Sequence, residues 1–169
     1  MNHHYLWTAL KLALAVVGMV TIGASQAHAD VKSYSGLMCV NYGSAGIANY
    51  EYGAIGNYSS TDVLRVGCPI VRDGASNFSG YVQVFNPPGA PGVECRVVAG
   101  STTDAGLTGA FSPYKRSARE AGSDWLFFED PGGTDLSHYY FFCQIPPITA
   151  SGDASHVVSY QVIEIDGIE

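Results

Sequence analysis

Basic side chains are scarce in this chain. Its 169 residues include eight Lys and Arg against fifteen Asp and Glu, which gives a formal net charge of −7. Binding to nucleic acid depends on neutralising phosphates with Lys and Arg, and attraction to an anionic membrane depends on basic clusters. The charge balance therefore argues against both partners. It is typical of a protein that meets cations or neutral ligands such as sugars.

Motifs of common catalytic and metal centres are also missing. The sequence has no Gly-x-Ser-x-Gly elbow, no His-Glu-x-x-His and no Cys-x-x-Cys, so a zinc site or a thioredoxin-like centre is not expected. Beyond residue 29 the only histidines are His138 and His156. A small hydrolase built on either one is an alternative, as is a carboxylate pair such as Glu51 with Glu164. Because no motif constrains such a site, we predict that the protein is not an enzyme.

A long apolar run of the kind that spans a bilayer, about 20 residues, is absent as well. A shorter one, Leu12 to Ile22, follows Lys11 and precedes Ala27-His28-Ala29, a small-x-small pattern that signal peptidase cuts. The pattern predicts a signal peptide over residues 1–29 and a single mature domain over 30–169. We expect a secreted or periplasmic protein with no membrane span after processing.

The four cysteines all lie in the predicted mature domain, where an even number in an exported chain indicates two disulfides. Three connectivities are open for Cys39, Cys68, Cys95 and Cys143. We favour Cys39–Cys68 with Cys95–Cys143, since each pair then joins strands able to face each other.

Short β-rich runs separated by Gly, Pro, Asn, Asp and Ser dominate the rest of the sequence. Residues alternate between two faces in Asp62 to Arg72, where Pro69 predicts an edge or a bulge, and again in His138 to Ile145. Eight strand candidates predict an all-β fold, an antiparallel β-sandwich of about eight strands stapled by two disulfides. They are 35–42, 48–55, 62–72, 81–85, 93–98, 125–128, 138–145 and 156–165.

One segment departs from the β pattern. Ser112 to Gly122 begins with an N-cap serine and a proline and ends at a glycine, which predicts a short helix or, equally, an excursion loop. Lys115, Arg116 and Arg119 concentrate there. They are interpreted as a solvated, partly paired face rather than an anion-binding site.

Tyrosines are numerous for one small domain. Amphipathic rings on a sheet face, flanked by Asp and Asn, are suited to stacking on sugars, and the candidate binding residues are Tyr50, Tyr52, Tyr139 and Tyr140. The ordinary alternative is that these tyrosines only fill half-buried strand positions.

A second candidate site is the acidic turn that carries Glu129, Asp130 and Asp135. Calcium takes six to eight oxygen ligands, several of which this turn can offer, although the spacing is not that of an EF-hand. A solvated turn is the favoured interpretation. Calcium is the one cofactor considered, and no cofactor is expected.

Four short motifs carry a resemblance: Cys68-Pro69 to Asp73, Cys95, Cys143 to Pro147, and Val158 to Tyr160. In this order the chain resembles a loose group of small secreted bacterial all-β disulfide-containing proteins of unknown function. The resemblance implies an exported bacterial β-sandwich and no activity. We therefore predict a non-catalytic secreted protein that acts by surface binding or as an envelope component, with a glycan or an envelope protein as partner. A carbohydrate-binding module and a pilus-like subunit are the alternatives.

Overall fold

The computed structural model of the chain describes residues 29–73, 77–103, 106–118, 121–133 and 137–165. Apart from Ala29, the predicted signal peptide lies outside these residues, as do Arg119 and Asp135. The described chain forms twelve β-strands and one turn of 3₁₀-helix, Gly36–Met38. No helix in this part of the chain is long and apolar enough to cross a membrane. The strands are β1 Ala29–Ser35, β2 Val40–Asn41, β3 Ala48–Glu51, β4 Ala54–Asn57, β5 Leu64–Ile70, β6 Asn77–Asn86, β7 Glu94–Thr103, β8 Gly106–Phe111, β9 Lys115–Arg116, β10 Gly122–Glu129, β11 His138–Ile145 and β12 His156–Ile165.

These strands form two antiparallel sheets that pack face to face. The first, which we name the terminal sheet because it holds β1 and β12, has the order β10-β6-β12-β4-β3, with β1 also paired to β12. The second, which we name the disulfide sheet, has the order β2-β5-β11-β7-β8, with β9 also paired to β7. The predicted all-β antiparallel sandwich is confirmed.

The two ends of the described chain meet in the terminal sheet. Strand β1 pairs with β12 over its whole length, from Ala29 opposite Ile165 to Ser35 opposite Ser159. Ala29 and Ile165 are thus direct partners across the ladder, and the chain enters and leaves the domain at the same point.

The core lies between the sheets and is built from the alternation that the sequence predicted. In β11, Tyr139, Phe141, Cys143 and Ile145 are buried while the intervening residues face outward. Phe141 is completely buried, and its ring contacts those of Phe128 and Tyr160 from the opposite sheet at centroid distances of 5.6 and 5.7 Å. Aromatic contacts of this kind hold the two layers together.

Both favoured disulfides are present, and both lie within one sheet. Cys95 is directly opposite Cys143 in the β7–β11 ladder, and Cys39 joins Cys68 where β2 meets β5. All four cysteines are fully buried. Two such bonds fit an oxidising compartment, as in an extracellular or periplasmic protein.

The described chain has twelve strands against the eight predicted, because β1, β8 and β9 were not among the candidates and one candidate run divides into two strands. The run 48–55 is the hairpin β3–β4, which turns at Tyr52 and Gly53 with φ of 51° and 83°, the backbone that a tight hairpin requires. The helix considered over Ser112 to Gly122 is wrong. In its place, the two-residue strand β9 pairs with β7. Lys115 lies opposite Cys95 and Arg116 opposite Glu94, and Arg116 forms an ion pair with Glu94.

Pro69 lies where β5 has only one neighbour. Strand β11 pairs with β5 from Leu64 to Ile70, whereas β2 pairs with it only at Val66 and Gly67. The predicted edge position of Pro69 is confirmed. The short β2 therefore leaves one end of β5 uncovered, and this is where the site described next is found.

Candidate functional site

A pocket of about 550 Å³ opens on the outer face of the disulfide sheet, beside the uncovered end of β5. It exists because β2 is only two residues long, so the chain leaves the sheet at Met38 and Val40 while β5 continues past them. Met38, Val40, Pro69 and Ile70 form its apolar part. A cleft of this volume falls in the range of small-ligand sites.

Two tyrosines form the aromatic wall of the pocket. The rings of Tyr42 and Tyr140 lie nearly parallel, 25° apart, with centroids separated by 5.9 Å. Gly67 lies beside both, and a Cβ built on it would be 3.6 Å from Tyr42 and 3.7 Å from Tyr140. The missing side chain at residue 67 thus leaves the space between these rings and the floor of the pocket open.

The opposite end of the pocket is polar. Arg72, Ser137 and His138 line it, and Tyr139 lies below. The Arg72 side chain is only 13% exposed; its guanidinium lies 4.6 Å from the centre of the Tyr139 ring and 3.9 Å from the Asp130 carboxylate. Because Asp130 partly neutralises this arginine, the end of the pocket offers hydrogen-bond donors with little net charge.

Aromatic side chains continue beyond the pocket along the same face. Arg96, on β7, places its guanidinium 4.7 Å from the ring centres of both Phe111 and Tyr114 and 5.6 Å from that of Phe142. Phe142 in turn packs edge-to-face on Tyr42. Pocket and aromatic cluster are therefore one continuous surface, which we name the binding face.

The four tyrosines predicted to bind ligand have different positions. Tyr140 lies in the wall of the pocket, as described. Tyr139 is only 5% exposed, and its ring packs edge-on against Phe78 in the core, so it presents no free face for stacking. Tyr50 and Tyr52 are exposed, belong to the β3–β4 hairpin of the terminal sheet and do not line the pocket. The Tyr50 hydroxyl nevertheless reaches its edge, because it donates a hydrogen bond to the carbonyl of Cys39, between Met38 and Val40.

The two described members of the predicted calcium site, Glu129 and Asp130, have separate surroundings. Asp130 accepts a hydrogen bond from the Gly132 amide and faces Arg72, whereas Glu129 is exposed at the end of β10. Asp135 lies outside the described residues, so calcium binding there stays a prediction. A different carboxylate cluster, Asp30, Asp73 and Glu164, holds the Lys32 ammonium, which lies 2.7 Å from Asp73 and 3.3 Å from the buried Glu164.

The two histidines considered for hydrolysis lie on different sheets. His138 lines the pocket, and among the described residues no carboxylate forms an ion pair with it. His156 lies on β12 with its Nε2 3.8 Å from Glu51, which also accepts a hydrogen bond from Tyr58. Burial lowers the pKa of His156, and the nearby Glu51 opposes this shift. The His156 ring packs against Tyr58 and Phe85, and its side chain is only 17% exposed, so its surroundings are those of a packed side chain.

A second aromatic surface lies on the outer face of the terminal sheet. Tyr81 contacts Trp125 and Phe127 at centroid distances of 6.3 and 5.0 Å, and Trp125 is 46% exposed. These residues do not line the pocket beside β5.

Sequence reasoning missed several residues of the binding face, namely Tyr42, Gly67, Arg72, Arg96, Phe111 and Tyr114. Tyr42 stood at the end of a candidate strand, and the alternation in 62–72 already placed residue 67 on the outer side of β5. What the sequence did not contain was the register that sets Tyr42 beside Tyr140. Tyr114 belongs to the segment predicted as a helix or loop, and Phe111 directly precedes it, outside the predicted strands, so their position on this face was not predicted.

Comparison with known proteins adds little to this description. No protein-family model matches the chain, and no curated protein matches it. Among solved structures, a carbohydrate-binding module studied for specific mannan recognition aligns with a TM-score of 0.41 and 11% identity, over 82% of this chain and 99% of the module. The enzymatically active domain of bacteriophage CBA120 tailspike protein 4 aligns with a TM-score of 0.39 and 5% identity, over 83% of this chain and 19% of that chain. At these values neither similarity bears on the ligand of the present site.

Proposed function

We propose that the protein is an exported, non-catalytic carbohydrate-binding protein whose ligand lies in the pocket of the disulfide sheet. One observation carries this proposal: the pocket combines an aromatic wall, Tyr42 and Tyr140, with hydrogen-bond donors at its far end, Arg72 and His138. A sugar ring has the matching arrangement, with an apolar C–H face and a rim of hydroxyl groups.

The chemistry of the lining supports a sugar over a purely apolar ligand. Tyrosine supplies a flat apolar surface and a polar tip, and few rotamers are lost when it is ordered. The two ring hydroxyls, the His138 imidazole and the Arg72 guanidinium provide the few placed polar groups that orient a ligand in a mostly apolar cleft.

The envelope-subunit alternative receives less support from the fold. Assembly by strand addition needs an open edge that can form a hydrogen-bonded ladder. The uncovered end of β5 is such an edge, but Pro69 lies in it, and proline on an edge strand is a common device that blocks further pairing.

The experiment that tests the proposal is an array of neutral and acidic polysaccharides probed with the oxidised protein, with and without calcium. We expect saturable binding to at least one polysaccharide class. A dependence on calcium would implicate the Glu129 to Asp135 turn. Absence of binding across the array under both conditions would overturn the proposal. Release of reducing ends from a bound polysaccharide would overturn its non-catalytic part.

Replacing Tyr140 by alanine is expected to weaken binding about 10-fold, because loss of one stacked ring removes on the order of 1–2 kcal/mol. Titration calorimetry with the best polysaccharide of the array measures this change. The matched control is Trp125→Ala, which removes an exposed ring from the opposite sheet and should leave affinity unchanged. Equal losses in the two variants would place the ligand elsewhere.

Replacing Gly67 by leucine is expected to abolish binding, because the new side chain projects between Tyr42 and Tyr140 and fills the pocket. Gly67→Ala serves as the control for folding. Its Cβ meets neighbours only at ordinary contact distance, and a glycine in a strand is itself unfavourable. We therefore expect Gly67→Ala to melt at or above the wild-type temperature. Full binding by a folded Gly67→Leu variant would contradict the assignment of the pocket.

A further inference from the structure

Charge is divided unequally between the two sheets. The strands of the terminal sheet carry five acidic side chains, Asp30, Glu51, Asp124, Glu129 and Glu164, and one basic one, Lys32. The strands of the disulfide sheet carry one acidic side chain, Glu94, and four basic ones, Arg65, Arg96, Lys115 and Arg116. In a chain with a formal net charge of −7, the sheet with the pocket is therefore the positively charged one.

Arg96 is the basic residue at the centre of this sheet. The acidic Glu94, which precedes it on the same face of β7, is already paired with Arg116. Within the described ranges no carboxylate forms an ion pair with Arg96, and its buried Nε–H has no hydrogen-bond partner. The Arg96 side chain is partly buried and stacked on three rings, and it has no counter-charge among the described residues, so its guanidinium can donate to an anionic group of a ligand.

The position of Arg96 connects it to the pocket. Arg96 lies directly opposite Phe142 on β11, two residues along the strand from Tyr140. Tyr140 is therefore the diagonal neighbour of Arg96 on the outer face of the sheet, a position in which Cβ atoms are about 7–8 Å apart and long side chains can meet. Burial and the hydroxyl of Tyr42 raise the pKa of Tyr140, and the positive charge of Arg96 opposes that rise. An anionic group on a ligand stacked against Tyr42 and Tyr140 therefore lies within reach of Arg96.

We propose that the carbohydrate bound at this face is anionic, and that Arg96 binds its carboxylate or sulfate group beside Tyr140. This inference rests on the proposed function and adds the ligand class. The planar guanidinium matches a carboxylate or sulfate with two parallel N–H donors. Since the negative charge of the whole protein does not attract anions, recognition comes from this local site rather than from long-range attraction.

The test compares ligands that differ only in charge. Oligomers of polygalacturonate are paired with the same oligomers after reduction of the carboxyl groups to alcohols, and a sulfated galactan is paired with its desulfated form. We expect the charged member of at least one pair to bind more tightly, by roughly 10- to 100-fold, as a charge-assisted hydrogen bond provides. The pair that shows the difference identifies the anionic group.

Two substitutions then assign the effect to Arg96. Arg96→Gln should remove the preference for the charged ligand while leaving the affinity for its neutral counterpart within about 2-fold. Arg96→Lys keeps the charge but loses the planar fork, so most of the preference should also disappear. Arg65→Gln is the matched control, because Arg65 is an exposed arginine on the outer face of β5, which β11 separates from β7.

The possible results distinguish a failure of the anionic-ligand inference from a failure of the carbohydrate proposal on which it rests. Tight binding of neutral members alone, or equal affinity within both pairs, would overturn the anionic ligand and keep the carbohydrate proposal. Equal losses in Arg65→Gln and Arg96→Gln would show a general attraction to the sheet and overturn the specific site at Arg96. If neither pair nor any polysaccharide of the array binds, both proposals fail. Thermal melting confirms that each variant is folded before it is scored.

Discussion

Phe141→Ala is expected to lower the free energy of unfolding by about 3–5 kcal/mol, the cost of removing a fully buried aromatic ring and leaving a cavity. Phe141 is completely buried and contacts Phe128 and Tyr160 of the opposite sheet, so its loss removes packing from both layers at once. Urea unfolding followed by intrinsic fluorescence measures the change.

The adjacent Phe142 provides a matched control. It has the same side chain on the same strand, but it points to the outer face, where it is partly exposed and packs against Tyr42 and Arg96. Phe142→Ala should cost about 1 kcal/mol or less. If the two substitutions destabilised the protein equally, the inward and outward faces of β11 would be assigned wrongly, and with them the position of the binding face.

The second large effect concerns the Cys95–Cys143 disulfide. The two cysteines are 48 residues apart, and in the loop-entropy model a crosslink of that span stabilises the folded state by about 4 kcal/mol. A Cys95→Ala/Cys143→Ala double variant should therefore unfold at clearly lower denaturant concentration than the oxidised wild type.

Reduction of the wild type gives the control for this variant, since it opens both disulfides and should destabilise at least as strongly as the double substitution. The Cys39–Cys68 bond remains closed in the double variant, which a count of free thiols verifies. A midpoint of unfolding equal to that of the oxidised wild type would contradict a stabilising effect of this crosslink.

The alternation of inward-facing and outward-facing residues predicted the long strands well. In β11 the alternation predicted that Tyr139, Phe141, Cys143 and Ile145 share the buried face. Because Cys143 lies on that face, its disulfide partner was expected in a facing strand, and Cys95 is found there. Long strands with one buried face are specified by their own residues, because a slip of one residue would expose the whole apolar set.

Short strands and the site they form were not predictable in this way. Strands β2 and β9 have two residues each, too few for any alternation to appear, and β8 contains two glycines among its six residues. Their pairing depends on neighbours distant in the sequence. The binding face depends on those pairings, because Tyr42 follows β2, Phe111 ends β8 and Tyr114 precedes β9. The tyrosines predicted from the sequence lie close together along single segments of the chain, whereas the binding face is formed by residues from several neighbouring strands.

The meeting of Ala29 and Ile165 has a mechanical consequence. If Ala29 and Ile165 were pulled apart, the tension would act on β1 and β12 from the same end of their ladder, so that its hydrogen bonds would be loaded one pair after another rather than all together. The β1–β12 ladder would therefore open at low force. Neither strand belongs to the sheet that carries the pocket, and that sheet is crosslinked internally at two places. Under tension applied at Ala29 and Ile165, the β1–β12 pairing would therefore open first and the binding face would stay intact.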